Sequence, residues 1–263
     1  MKLWLGVGLA ALLAGCNGGD GSQDVAPVAE VVPELLTPVT GEGVLIGTSS
    51  QAIEGGQVIR NVTGLMLEGG DYYVIYSSLS DPYTPAGIVM GKSRAQEGRF
   101  VSTEGKDINF EGKWVADVTM QAEYNPTNKI GLTADLRYVQ AGTGISVSAT
   151  YQSGFDKPAD LATLAGAYRV RVGSSAGLQV GTLSVNAVGS ISGGYAGCSM
   201  TGRVTPTAKA VMQLAMNLGA GCAITGTVAG VAHYDALKKM IMAAGPNQNR
   251  KDGFLIYGYR SGS

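Results

Sequence analysis

The sequence is poor in charge and in the side chains that most often carry out chemistry. Only 15% of its 263 residues are charged, and it has one histidine, His233, and three cysteines. Zinc sites take several Cys or His ligands, so this supply predicts no metal site, and no motif indicates a cofactor. The hydrophobic content of 45% and the net charge of −1 exclude a disordered chain, and the lack of charged heptads excludes a long coiled coil.

The sequence also lacks an apolar run long enough to cross a bilayer as a helix. The run Leu3–Leu13 follows Lys2 and has eleven residues, whereas a membrane-spanning helix needs about 20. A short apolar run after a positive charge is typical of a secretory signal. Leu13-Ala14-Gly15-Cys16 follows it and resembles the lipobox of bacterial lipoproteins.

This resemblance implies that residues 1–15 are a signal peptide and that Cys16 carries diacylglycerol and an acyl chain such as palmitate. In that family the residue after the cysteine influences sorting, and Asn17 favours the outer membrane over retention at the inner one. Two or three acyl chains form a stable anchor. The sequence leaves open whether the protein faces the cell surface or the periplasm.

Residues 16–41 are predicted to be a flexible tether, because they are rich in Gly and Pro and contain no Lys or Arg. Beyond them, apolar and polar residues alternate, which is typical of half-buried antiparallel strands. Clear examples are 130–136, 145–151, 168–172 and 212–218. Short turns between the runs predict an all-β fold with two up-and-down barrel-like or sandwich lobes in tandem.

The proposed lobes have opposite charges. We predict a β-domain at 42–155, a short helical connector at 156–165 and a second β-domain at 166–263. When the chain is divided within the connector, residues 42–162 carry nine basic and fourteen acidic side chains, whereas residues 163–263 carry nine basic and two acidic ones. The difference indicates either that the lobes attract each other or that the second lobe binds an anionic partner. The candidate basic surface consists of Lys238, Lys239, Arg250, Lys251 and Arg260.

The remaining two cysteines are predicted to form a disulfide. An exported protein occupies an oxidising compartment, where a pair such as Cys198 and Cys222 is expected to be bridged.

Motifs for catalysis are weak. Ser175 lies in a Gly-x-Ser-x-Gly pattern, but strands are predicted on both sides, whereas a nucleophilic serine there needs a turn from strand to helix. His233 follows a strand-like run and is interpreted as structural. Gly112-Lys113-Trp114 resembles the Gly-x-Trp signature of lipocalins, although the order of the accompanying tyrosine motif is reversed. We therefore predict that the protein is not an enzyme.

The plan as a whole resembles the surface lipoproteins of the transferrin-binding-protein type, which combine a lipid anchor, a tether and two barrel-containing lobes. This resemblance implies an outer-membrane lipoprotein that binds a protein or an anionic envelope component. Nucleic-acid binding is not predicted, because the protein is expected in the envelope and no aromatic stacking platform interleaves the basic residues. Two alternatives stay open: a periplasm-facing inhibitor or immunity lipoprotein, and a lipocalin-like carrier of a small apolar ligand.

Overall fold

The computed structural model describes residues 42–125 and 131–262, and it confirms the predicted all-β fold. The predicted signal peptide, the predicted lipobox with Cys16, and the predicted tether lie outside these residues. The described chain forms two closed antiparallel barrels in tandem with a short helical connection. None of its helices combines the length and apolar character needed to cross a membrane.

The first barrel is a meander of eight strands with one short additional strand. Its strands are β1 (Gly43–Ile53), β2 (Gly56–Met66), β3 (Asp71–Ser77), β4 (Pro85–Lys92), β5 (Arg94–Gln96), β6 (Arg99–Asn109), β7 (Trp114–Tyr124), β8 (Gly131–Tyr138) and β9 (Gly144–Tyr151). Pairing of β1 with β9 and of β4 with β6 closes the ring, while β5 pairs only with β6. Closure leaves no long free edge in the ring.

The connection between the barrels is short and held at both ends. It contains a 3₁₀ turn (Ser153–Asp156) and α1 (Leu161–Leu164). The Asp160 side chain caps α1 by accepting from the backbone N–H groups of Ala162 and Thr163, which lack partners within so short a helix. The backbone of Phe155 accepts from Ala210, so the connection is fastened to the second barrel.

The second barrel is a regular eight-stranded meander. Its strands are β10 (Gly166–Ser174), β11 (Gly177–Val185), β12 (Ser190–Tyr195), β13 (Cys198–Thr205), β14 (Val211–Leu218), β15 (Gly226–Asp235), β16 (Met240–Pro246) and β17 (Gly253–Arg260). β10 pairs with both β11 and β17, which closes the barrel. The predicted disulfide between Cys198 and Cys222 is present and ties the start of β13 to the β14–β15 loop.

Alternating residues fill the two barrel interiors. In β14, for example, every second residue from Met212 to Leu218 is buried in the second barrel's core. The first barrel's core takes every second residue of β8 in the same way, from Leu132 to Leu136. The period of two seen in the sequence is therefore the period of side chains pointing into a barrel.

A third apolar cluster joins the outer surfaces of the barrels. The first barrel contributes outward-facing residues such as Ile75 and Met90, and the second contributes Met242 and Leu255. Arg250 of the second barrel pairs with Asp71 of the first at 3.2 Å, and both side chains are partly exposed. The barrels are thus joined by an apolar centre, with an ion pair at its edge.

Candidate functional site

The first barrel contains a cavity of about 500 Å³, which we call the cup. The cup opens at the barrel end formed by the β1–β2, β3–β4, β6–β7 and β8–β9 turns. Its wall is mostly apolar, and its volume is within the range of small-molecule sites in proteins. The lining residues are Ser49, Gln51, Val58, Arg60, Val62, Val74, Tyr76, Val89, Asp107, Asn109, Trp114, Ala116, Leu136, Tyr138, Ala141, Ile145 and Val147.

A connected polar group interrupts the apolar wall on one side. Asp107 is only 1% exposed, and its two carboxylate oxygens accept from the hydroxyls of Tyr76 at 2.8 Å and Tyr138 at 2.6 Å. Asn109 donates to the Tyr76 hydroxyl at 3.1 Å. A buried carboxylate needs such partners, so the network fixes the two tyrosine rings against the cup.

Burial controls the ionisation of this network. It raises the pKa of Asp107, and the two tyrosine hydroxyls and the nearby Arg60 counteract part of this effect. The pKa values of Tyr76 and Tyr138 are also raised, first by burial and then by the charge of Asp107. Both tyrosines are therefore protonated donors at neutral pH.

Arg60 is the basic residue of the cup. It lies on β2 between Val58 and Val62, in phase with these inward-facing residues. Its guanidinium donates to the Ser77 carbonyl at 2.7 Å and to the Glu111 carboxylate at 3.3 Å, and lies 5.7 Å from the centre of the Tyr76 ring.

The mouth of the cup is aromatic on one side. Trp114 begins β7, is 40% exposed and meets the Tyr138 ring edge-on at 6.2 Å between centroids. This is the tryptophan of the Gly-x-Trp pattern, and the structure places it at the rim of a barrel cavity.

Buried apolar side chains fill the core of the second barrel. The gap at the end that carries the disulfide has a volume of about 10 Å³, which is too small for an organic ligand. Met200, Met212 and Met216 are fully buried in its core. Flexible methionine side chains fill irregular interiors well, so this barrel is a packed body.

The five predicted basic-surface residues are distributed over both ends of the second barrel. Lys238 and Lys239 lie in the β15–β16 turn, whereas Arg250 and Lys251 lie in the β16–β17 turn at the opposite end of β16. Arg260 is close to the first pair, because its backbone N–H donates to the Lys239 carbonyl at 2.9 Å.

These residues also differ in their contacts. Lys238 pairs with Asp235 at the end of β15 at 3.1 Å, and Arg250 pairs with Asp71 of the first barrel. The guanidinium of Arg260 donates to the carbonyls of Thr163 and Ala165. It therefore fastens the connection between the barrels onto the end of the second one.

The residues considered for catalysis do not come together. Ser175 lies in the β10–β11 turn and donates to the Asp252 carboxylate at 2.5 Å. His233 lies near the other end of the barrel on β15, and its Nδ1–H donates to the Ala210 carbonyl at 3.2 Å. Within residues 42–125 and 131–262, no cluster of three or more His, Cys, Asp or Glu side chains could hold a metal ion.

Sequence reasoning missed the polar residues of the cup. Arg60 and Asp107 could have been found as polar residues in phase with inward-facing ones, such as Val58 and Val62 on β2. Such a residue in an alternating strand points to a polar group inside the barrel.

No protein-family model matches the chain, and no curated protein sequence matches it. Among solved structures it is similar to transferrin-binding protein B from Haemophilus parasuis, with 6% identity, a TM-score of 0.31 and coverage of 84% of this chain and 76% of that one. A proposed outer membrane protein from Bacteroides fragilis gives 12% identity, a TM-score of 0.31 and coverage of 84% and 97%. Transferrin-binding protein B from Neisseria meningitidis gives 7% identity, a TM-score of 0.28 and coverage of 84% and 69%. These values do not place the chain in a family.

Proposed function

We propose that this chain is an outer-membrane-anchored, non-enzymatic binding protein whose first barrel holds a small, largely apolar ligand in the cup. The observation that carries the proposal is the contrast between the barrels. The first barrel has a cavity of about 500 Å³ whose polar side chains are held by hydrogen bonds. The core of the second barrel is filled by apolar side chains. A barrel that only supported the fold would gain stability by filling such a space.

Binding rather than catalysis fits the chemistry of the cup. Asp107 is the carboxylate of its wall, and both of its oxygens are occupied by tyrosine hydroxyls. A general base must reach the proton that it removes, and a carboxylate that is 1% exposed behind two tyrosines does not reach a ligand.

Binding of N-phenyl-1-naphthylamine, a neutral apolar fluorophore, tests the proposal. The native protein should bind it saturably at one site, and Ala116→Trp should abolish binding because Ala116 lines the cup. Ala215→Trp is the matched control, since Ala215 is exposed on β14 of the second barrel. The absence of saturable binding, or equal binding by both variants, would refute the cup as a ligand site.

The anchor is a second part of the proposal and is supported by the Leu13-Ala14-Gly15-Cys16 pattern followed by Asn17. Cys16→Ala should move the protein from the outer-membrane fraction to a soluble one. Retention of the variant in the membrane would show that another feature anchors the chain. Digestion by protease added to intact cells would distinguish a surface-exposed carrier from a periplasm-facing one or an inhibitor.

A macromolecular partner for the basic second barrel is the other candidate function. It is supported by the β15–β16 turn, where Lys238 and Lys239 are exposed beside Leu237, which is 99% exposed. Replacing both lysines with Ser should weaken capture of a protein or anionic envelope partner and flatten its salt dependence. The Arg250→Ser, Lys251→Ser pair at the other end of β16 serves as the comparison. An unchanged salt slope in both double variants would eliminate this candidate.

A further inference from the structure

The polar wall of the cup indicates the chemical class of its ligand, provided that the cup is a ligand site as proposed above. The wall contains a base and an acid, Arg60 and Asp107, which would select ligands of opposite charge. A ligand can reach one of these two side chains more easily than the other, and this difference in access indicates the charge of the ligand.

Asp107 lines the cup but offers a ligand almost no exposed surface. It is 1% exposed, and the Tyr76 and Tyr138 hydroxyls occupy its two oxygens. Each oxygen has a second lone pair, but a cationic ligand group would have to move a tyrosine ring and its hydroxyl aside to reach this carboxylate. Such a displacement would leave a buried polar group without its partner, which is costly.

Arg60 is accessible by comparison. Its side chain is 21% exposed, and its carboxylate partner Glu111 is 44% exposed on the turn after β6. An ion pair that is open to solvent on one side contributes little, so a ligand carboxylate can replace Glu111 at low cost. The planar guanidinium also suits a carboxylate, because it offers parallel N–H donors.

We infer that the ligand is an amphipathic anion, with its apolar body against Val62, Val74, Val89 and Leu136 and one acidic head group on Arg60. The four apolar side chains belong to strands β2, β3, β4 and β8, and all line the cup. Exposed apolar side chains lie around the mouth on the β3–β4 and β8–β9 turns and at the end of β1: Leu79 and Tyr83, Val139, and Ile53. They offer an apolar surface to the body of a ligand that enters or leaves.

The test is displacement of bound N-phenyl-1-naphthylamine by three molecules with the same ten-carbon chain: decanoate, decanol and decylammonium. Decanoate should bind about tenfold or more tightly than decanol, as a charge-assisted hydrogen bond predicts, and decylammonium should bind most weakly. Arg60→Gln should remove the preference for decanoate and retain the fluorophore. Arg137→Gln is the matched control, because Arg137 is exposed on β8 of the same barrel. It should change neither the preference for decanoate nor the binding of the fluorophore.

Glu111→Gln is a second variant, which keeps the inference testable if Arg60→Gln does not fold. Removing the exposed competitor should raise the affinity for decanoate severalfold and leave decanol unchanged. A preference for decylammonium, or a decanoate preference that survives Arg60→Gln, would overturn the ligand class while the cup still binds the fluorophore. Failure of the native protein to bind the fluorophore would instead refute the cup itself.

Discussion

At the scale of single residues, the cup depends on a glycine that makes room for a tyrosine. A methyl group at Gly87 would lie 2.0 Å from the Tyr76 hydroxyl oxygen and 2.7 Å from the Ile108 carbonyl oxygen. Gly87→Ala must therefore displace Tyr76 from Asp107, and we expect it to lower the free energy of unfolding by about 1–3 kcal/mol.

Gly56→Ala is the matched control for this prediction, because a methyl group there meets no atom within 4 Å. It should change stability by less than about 1 kcal/mol. Denaturant unfolding of both variants measures the difference. Equal stability of the two variants would show that the Tyr76–Asp107 contact does not depend on the space at position 87.

His233 gives a prediction about pH. Burial lowers its pKa, although the Ala210 carbonyl and Asp235 act in the other direction. In the unfolded chain its pKa is about 6.5, so as the pH falls through this value the unfolded chain takes up a proton before the folded protein does. The free energy of unfolding should therefore decrease as the pH falls from 7 towards the lowered pKa of the folded protein.

His233→Gln isolates this contribution from the carboxylates that also titrate. Unfolding free energies measured between about pH 7 and 5 should fall less steeply in the variant than in the native protein. Parallel curves for the two proteins would mean that the pKa of His233 is the same in the folded and unfolded states.

At the scale of elements, the disulfide is the clearest local constraint. It closes a loop of 24 residues that contains both β13 and β14. In the chain-entropy description, such a loop stabilises the folded state by about 3 kcal/mol. Cys198→Ser together with Cys222→Ser should lower the free energy of unfolding by this amount.

A reducing agent provides the control for the disulfide. It should destabilise the native protein to a similar extent and have no effect on the double variant. A native protein whose unfolding curve is unchanged after complete reduction would contradict the prediction.

The strands also show which parts of the fold could be predicted from the sequence and which could not. Strands such as β10 and β14 are open to solvent on one face, so their alternating residues predicted both the strand and its buried side. β4 and β16 are buried on both faces, and their continuous apolar runs do not indicate what covers the second face. The cup could not be predicted for a related reason. Arg60 and Asp107 line the same cavity only because β2 and β6 belong to the same barrel.

At the scale of the whole molecule, the barrels should unfold together. Met242 is 2% exposed and belongs to the apolar cluster between them, so Met242→Ala should cost about 2–5 kcal/mol through the cavity that it leaves. Arg250→Ser removes only the ion pair with Asp71 at the edge and should cost less than about 1 kcal/mol.

Calorimetry of the native protein tests this coupling. A single transition that Met242→Ala moves as a whole is the expected result, because both barrels lose a shared surface. Two separate transitions, with only the second barrel affected, would mean that the apolar cluster does not couple them.

The shared surface also bears on how the chain avoids aggregation while it folds. Met240–Gly245 is an uncharged apolar segment without proline, a composition that favours intermolecular β-pairing when it is exposed. Because the first barrel precedes it in the chain, that barrel can be folded and ready to cover Met240 and Met242 when β16 arrives. Residues 166–263 produced alone should therefore aggregate, and Met240→Lys with Met242→Lys should restore their solubility. If residues 166–263 without these substitutions stay soluble at high concentration, then coverage by the first barrel is not what keeps the Met240–Gly245 segment from aggregating.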